Sequence, residues 1–387
     1  MTIGARQTDQ VILHVAVGAN FVGMGVVLAL LADLQDAYDL PTAGLGLIAG
    51  SSFVTSFFAY IGFARFADRG HAKTMLIAGT VMGAVALVMA AFARDLWSLV
   101  AARSILGLAE GAFVPAAKRV VLDWSPDRPG EVLGRVLAAA VGGFALGPVI
   151  GALLATRFGL QVPFLVPAAV LLAAIPVVAR LRTPVPPIIH QARLISLLRR
   201  RLVLAGLALG VVDFVALGAF DALWARQLTD MGASTVFIGL SFTIIALPLI
   251  MLAPRFGRLV DRRSPTLVAF LGTLGVITAV SGYAILETPL LLASAAIVHG
   301  VGSAAIGPAA ATMVSRGSPS EMTARGQAVL KAAGFLAAAV AAIPAGWAYE
   351  TIGRGISWSV IGTVSAAFFL VGWQLSRGET TEKAPAG

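Results

Sequence analysis

Apolar residues run along this chain in blocks of about the length that a helix needs to cross a bilayer, roughly 20 residues, with short polar joints between them. The pattern predicts spans at 11–33, 43–64, 74–93, 97–119, 133–156 and 161–180, and again at 202–225, 234–254, 266–286, 289–314, 326–347 and 356–376. These twelve segments make the expected fold class an all-α membrane protein. The first span has no strong basic leader, and "LLADLQDAYD" behind it offers no convincing small-residue cleavage site. It is therefore expected to stay in the protein as a helix rather than be removed as a signal.

The longest polar interruption is "RLRTPVPPIIHQARLISLLRRR", Arg180 to Arg201. It leaves six spans on each side. The expected organisation is a first bundle over 1–180, a basic linker over 181–201 that is partly helical after Pro187, and a second bundle over 202–387 with a short tail. Each half also carries one version of the same polar knot. "ARFADR", Ala64 to Arg69, and "GRLVDR", Gly257 to Arg262, both follow the second span of their half and share Arg, two apolar residues, Asp and Arg. Two copies at equivalent places point to an internal duplication.

Composition agrees with the pattern. Apolar residues make up 58% of the chain and charged residues only 12%, against about 25% charged in a soluble domain. There is no cysteine, which excludes disulfides, thiolate metal sites and a cysteine nucleophile. The net charge of +9 comes from 28 Lys and Arg residues set against 19 Asp and Glu. With the N-terminus placed in the cytoplasm, 23 of the basic residues fall in or beside cytoplasmic segments and 4 on the outer side, with Arg103 inside a helix. That bias predicts two cytoplasmic termini and accounts for the charge without a nucleic-acid partner.

With its twelve spans, basic central linker and paired loop motif, nearly the whole chain resembles the major facilitator superfamily. The first copy of the motif departs from the family pattern: Ala64 replaces the first Gly, Gly70 stands one place early, and His71 and Ala72 stand where Gly and a base belong. Asp68, Arg69 and Lys73 remain, and the second copy keeps Gly257, Asp261 and Arg262. The resemblance implies that these groups form a cytoplasmic latch between the halves. It also implies two six-helix bundles related by a pseudo-two-fold axis, with a mid-membrane cavity and transport by alternating access.

The fourth span, in "AARSILGLAEGAFVPAAKRVVLDWSP", holds Arg103, Gly107 and Gly111, similar to a family pattern of an intramembrane Arg followed by small residues. Arg103 and Glu110 are seven residues apart and share a helix face two turns from one another. The fifth span, "VGGFALGPVIGALLA", carries Gly143, Gly147, Pro148 and Gly151, which resemble the Gly-x-x-x-Gly-Pro-x-x-Gly element of antiporters, with Ala152 in place of a further Gly. Small residues every four positions suit close helix contact. "DWSP", Asp123 to Pro126, is instead similar to a Trp-Phe-Pro loop of organic-anion uptake members. On the seventh span, Asp213 is expected near mid-membrane and Asp221 in the outer half, where Arg226 is a possible partner.

Ionisable groups at such depth are costly unless paired or wet. The expected proton-coupling set is therefore Glu110, Asp213, Asp221 and Arg103. Asn20, Phe113, Phe214, Trp224 and His299 are candidates for the substrate cavity, with Phe21 a further aromatic; His14 and Lys331 are weaker candidates, and Lys331 can snorkel. No metal site is expected, because no His and carboxylate pair has ligand spacing. No Gly-Lys-Ser/Thr phosphate loop is present, so an ion gradient rather than a cofactor or ATP is the expected energy source.

The leading expectation is a proton-coupled antiporter in the cytoplasmic membrane of a bacterium, exporting small amphipathic drugs or metabolites and acting as a monomer in the bilayer. The alternatives are uptake of an organic anion with Arg103 as counter-ion, a lipid flippase, or a non-transporting receptor or assembly subunit.

Overall fold

The computed structural model describes residues 3–66, 70–125, 129–181, 183, 194–319 and 322–377. Among these residues the only regular structure is helical. The long helices are α1 (Ile3–Ala29), α3 (Thr42–Phe66), α4 (Ala72–Phe92), α5 (Leu96–Trp124), α6 (Pro129–Phe158) and α7 (Val162–Arg180), with a short α2 (Leu31–Tyr38) after α1. A 3-10 turn (Leu194–Arg199) precedes α8 (Arg201–Asp230), α9 (Thr235–Arg262), α10 (Pro265–Ile285), α11 (Pro289–Gly317), α12 (Thr323–Thr351) and α13 (Arg354–Arg377). Twelve of these helices are long and apolar enough to cross a membrane, and the protein is a multi-pass membrane protein.

The predicted spans match these helices closely, with differences at the polar ends. The span expected at 11–33 stops at Ala29, and "LADLQDAY" forms a separate helix that closes with Asp39 in the left-handed conformation, φ 50°. A short polar side chain tolerates that conformation better than most. The second polar knot is not a loop: Gly257, Asp261 and Arg262 lie in the last turns of α9. Outside hydrocarbon a helix end can carry solvated charge, and basic residues at a C-terminus are favoured by the helix dipole. Of the first knot, Asp68 and Arg69 lie outside the described residues, and Lys73 sits in the first turn of α4. "DWSP" is also no free loop. Asp123 and Trp124 close α5, Arg119 pairs with Asp123 at 2.9 Å one turn away, and Trp124 is buried; Pro126 lies outside the described residues.

Helix ends follow local chemistry. Asp95 caps α5: its Oδ1 accepts from the backbone N–H groups of Trp97 and Ser98, each at 3.0 Å. Donation by the Ser98 backbone and hydroxyl, with that of Trp97, holds the Asp95 carboxyl below its ordinary value of 3.8. Gly159 and Gly353 follow α6 and α12 with φ of 84° and 86°, a conformation that glycine adopts without a Cβ penalty.

The chain forms two compact units, Met1–His190 with Ala225–Thr243, and Gln191–Trp224 with Ile244–Gly387. In the first, α1 packs along α6, α5 lies against α3 and α4, and α7 covers α4. In the second, α10 packs along α11 and α13. Lipid is as apolar as a leucine core, so grease alone cannot choose partners; close backbone approach can. Gly107 and Gly111 of α5 face Ser52 and Ala59 of α3. In the second unit Gly272 and Gly302 face each other across α10 and α11, and Gly218 of α8 faces Ala338 of α12.

Candidate functional site

In the first unit a narrow pocket opens between α1 and α5, lined by Asn20, Phe21, Met24, Glu110, Phe113 and neighbouring apolar side chains. It joins four sequence candidates, Asn20, Phe21, Glu110 and Phe113. Asn20 is buried and donates through Nδ2 to the Ala16 carbonyl at 2.9 Å. Its Oδ1 lies beside Gly83 of α4, where a Cβ would stand 3.1 Å away. Phe113 is almost wholly buried and reaches the core that Leu13, Val17 and Leu76 share.

Glu110 is half-buried. The Ser56 hydroxyl on α3 lies 3.0 Å from its Oε2 and 3.2 Å from the Gly107 carbonyl. A hydroxyl has one proton and two acceptor lone pairs. With Glu110 ionised, Ser56 can donate to the carboxylate. With Glu110 protonated, the carboxyl can donate to Ser56 Oγ, and the Ser56 proton can turn to the Gly107 carbonyl. Both protonation states of Glu110 therefore find a hydrogen-bonded arrangement without moving a helix.

Arg103 and Glu110 share α5 but turn to different neighbours. Arg103 is 4% exposed and donates through Nη1 to the Met24 carbonyl on α1 at 3.3 Å. Met24 lines the pocket, so Arg103 braces the pocket wall from behind.

The fifth-span element forms a close seam. Gly147 of α6 meets the Val22 carbonyl and Gly25 of α1, and Gly143 meets Gly18. Pro148 lacks an N–H, which leaves the Phe144 carbonyl without its intrahelical donor; that carbonyl faces Gly25. Gly151 approaches Val26 less tightly. On the other side of α6, Gly239 of α9 packs against the Pro148 carbonyl and Ala152, and Thr243 Oγ1 donates to the Ala145 carbonyl at 2.6 Å.

A polar cluster that sequence reasoning missed stands at one end of the same unit. Arg226 pairs with Asp36 at 2.6 Å and with Asp230 at 2.5 Å, and Thr235 Oγ1 donates to Asp33 Oδ1 at 3.1 Å. The sequence points Arg226 toward an aspartate, but toward Asp221. Burial raises the Asp33 carboxyl above its ordinary value of 3.8; donation from Thr235 opposes this and the Asp36 charge adds to it. The buried Asp33 Oδ2 has no hydrogen-bond partner among the described residues. A raised carboxyl favours the folded state below the unfolded value and loses that contribution as pH rises through the folded value. Asp33→Asn keeps the acceptor for Thr235 and replaces an unpartnered charge by a neutral amide, whose burial costs less. The melting temperature at pH 7.5 is expected to rise by roughly 1–2 °C, with the gain closing toward pH 4, as thermal melts across pH will record.

The second unit divides the remaining candidates between two places. Trp224 and His299 do not line an open cavity here but belong to a buried aromatic cluster: Phe220 stacks on Trp224 at 4.4 Å, Trp224 and Trp358 pack on Tyr283, and the Tyr283 hydroxyl lies 3.1 Å from His299 Nδ1. The rings fill their volume with each other, which leaves both residues at most 2% exposed. Asp221, one turn before Trp224 on α8, is buried as well. Asp213 and Phe214 stand apart from this core. Ser303 Oγ of α11 donates to Asp213 Oδ1 at 2.5 Å, and Lys331 Nζ of α12 lies 5.1 Å from the centre of the Phe214 ring.

The family model of the Major Facilitator Superfamily matches residues 13–342. The chain belongs to the major facilitator superfamily. It is a transporter and not an enzyme. The chain is 28% identical over 292 residues to the multidrug resistance protein MdtG of Klebsiella pneumoniae (strain 342), covering 72% of this chain and 71% of that one. It is 30% identical over 283 residues to the MdtG protein of Rahnella sp. (strain Y9602), covering 70% and 68%. Among solved structures, a bacterial homologue of the human lysosomal transporter Spinster superposes with a TM-score of 0.83 at 15% identity, over all of both chains. The nucleoside transporter NupG reaches 0.74 at 15%, covering 95% of this chain and 98% of that one. These structures share the superfamily fold. Within that fold, Glu110 with Ser56 and Asp213 with Ser303 are two places where a carboxyl inside a spanning helix meets a hydroxyl.

Proposed function

We propose that this superfamily member is a proton-coupled antiporter that exports small amphipathic compounds by alternating access. The observation that carries the reading is the Glu110–Ser56–Gly107 arrangement, in which one hydroxyl can serve both protonation states of a pocket carboxyl. A proton carrier needs both states to be tolerated in low dielectric, where an unsatisfied polar group is expensive. The tight α1–α6 seam around Gly143, Gly147 and Pro148 and the multidrug-resistance naming of the relatives point the same way.

In the proposed cycle, protonation of Glu110 neutralises the pocket and release of that proton accompanies binding of the exported compound. The twelve-helix chain is placed in a bacterial cytoplasmic membrane with both termini in the cytoplasm, on the strength of its 23-to-4 distribution of basic residues. It works without a cofactor, as a monomer.

The test is substrate-evoked proton movement in proteoliposomes. An imposed pH gradient is expected to drive accumulation of an amphipathic dye, and adding substrate is expected to release protons. Transport that persists unchanged after the gradient is collapsed removes the proton-coupled reading.

A further inference from the structure

The sequence leaves Lys331 free to snorkel toward the membrane surface. Its ammonium stands instead over the Phe214 ring, 5.1 Å from the centroid. Phe335, one turn further along α12, packs edge-on against Phe214 with centroids 5.7 Å apart. Gly334 lies directly under the ring, where a Cβ would meet the Phe214 Cδ2 at 2.5 Å. Glycine there lets the ring lie close to α12. Ser303 fixes the Asp213 carboxylate from α11 at 2.5 Å. Asp213 and Phe214 are half-buried and Lys331 is exposed.

An aromatic face beside a carboxylate is the chemistry that binds organic ammonium and related cations. A lysine ammonium in that position is a cation already in place, on a flexible four-carbon tether. We propose that Phe214 and Asp213 form a binding subsite for monovalent organic cations, and that Lys331 is its built-in competitor, which an incoming cation must displace. The tether makes the competition intramolecular, so a weakly held ammonium still occupies the subsite most of the time. The subsite then admits cations with enough apolar surface to outbid lysine, and it discriminates against small hydrated amines. This deepens the export reading by naming a substrate class, and it rests on that reading only for the direction of transport.

The test is equilibrium binding of tetraphenylphosphonium to the full-length purified protein in nanodiscs, with no ion gradient. Lys331→Gln removes the competitor and is expected to bind the probe about 10-fold tighter than the unaltered chain, a factor that corresponds to about 1.4 kcal/mol. Lys331→Arg keeps a tethered cation and is expected to stay within about 2–3-fold of the unaltered chain. Asp213→Asn and Phe214→Leu are each expected to weaken binding about 10-fold, also in the Lys331→Gln background. Thermal melts establish that each variant is folded. If Asp213→Asn fails to fold, Phe214→Leu decides alone.

Lys331→Gln binding no tighter than the unaltered chain overturns the competitor role. Undiminished binding by a folded Asp213→Asn or Phe214→Leu variant overturns the subsite. Because binding is read without a gradient, these outcomes are separate from the export test. Tight probe binding with no proton-coupled flux leaves the subsite standing and removes the export reading. Proton-coupled flux of other compounds with no probe binding does the reverse.

Discussion

Replacing Glu110 by Gln is expected to lower gradient-driven export more than about 10-fold, while the variant folds and still binds substrate. Gln is close to the shape of a protonated Glu. Its amide can donate to Ser56 Oγ, and the Ser56 proton can then turn to the Gly107 carbonyl 3.2 Å away. The pocket is thereby held in one of its two states and cannot release a proton. Glu110→Asp keeps an ionisable group but withdraws it from Ser56, and an intermediate rate is expected. Ser56→Ala removes one neutral hydrogen-bond partner, worth about 0.5–1.5 kcal/mol, and a loss of roughly 2–10-fold is expected, smaller than that of the Gln variant. The measurement is initial rate of dye efflux from proteoliposomes at matched protein density, with binding of the same dye read separately. Full export by Glu110→Gln would show that the coupling proton travels elsewhere.

The second large effect is structural and graded along one helix. Gly143→Ala and Gly147→Ala are expected to lower the melting temperature by roughly 1–4 °C each, on overpacking costs of about 1–3 kcal/mol. A Cβ at Gly147 would stand 2.5 Å from the Val22 carbonyl and 2.9 Å from the Gly25 Cα. At Gly143 it would collide with the Gly18 backbone. Backbone cannot rotate out of the way as a side chain can, so relief requires α1 and α6 to separate. At Gly151 the nearest atom would lie at 3.2 Å, and a smaller shift of about 1 °C or less is expected for Gly151→Ala. Gly142 is the internal control: nothing lies within 4 Å of its added Cβ, so Gly142→Ala is expected to leave stability unchanged or slightly raised, Ala being the better helix former. Equal effects at Gly142 and Gly143 would argue that helix propensity, rather than the seam, governs this helix. Melting of purified protein in detergent, followed by size-exclusion fluorescence, ranks all four.

How far the site could be read in advance differs from residue to residue. Glu110 and Arg103 stand out because an ionisable side chain within an apolar block is expensive and therefore informative. Their seven-residue spacing places them on one helix face. It cannot show that α5 lies against both α1 and α3, so that Arg103 reaches Met24 while Glu110 reaches Ser56. Ser56 carries no signal of its own, since small hydroxyl residues in spanning helices usually bond back to their own helix, as Thr80 does to Leu76. The Gly143–Gly147–Pro148 element is legible because glycine spacing encodes a flat helix stripe, and only the partner, α1, is missing from it. Trp224 and His299 mislead: an aromatic or a histidine on a spanning helix serves a cavity or a core equally well, and here ring-on-ring packing places them in the core.

The twelve helices and the polar joints between them are properties of the sequence alone. Backbone polar groups in hydrocarbon must be satisfied within their own segment, which leaves a long apolar block little choice but helix. Which helices touch is a different question. Apolar surface has no preference between lipid and a neighbouring helix, so hydropathy carries almost no information about partners. The pairing of Ser56 with Glu110, the seat of Lys331 over Phe214, and the junction of Asp33, Asp36, Arg226 and Thr235 each join residues far apart in the chain. They were decided only in the tertiary structure, where close seams such as those of Gly143 on Gly18 and Gly107 on Ser52 bring particular helices together.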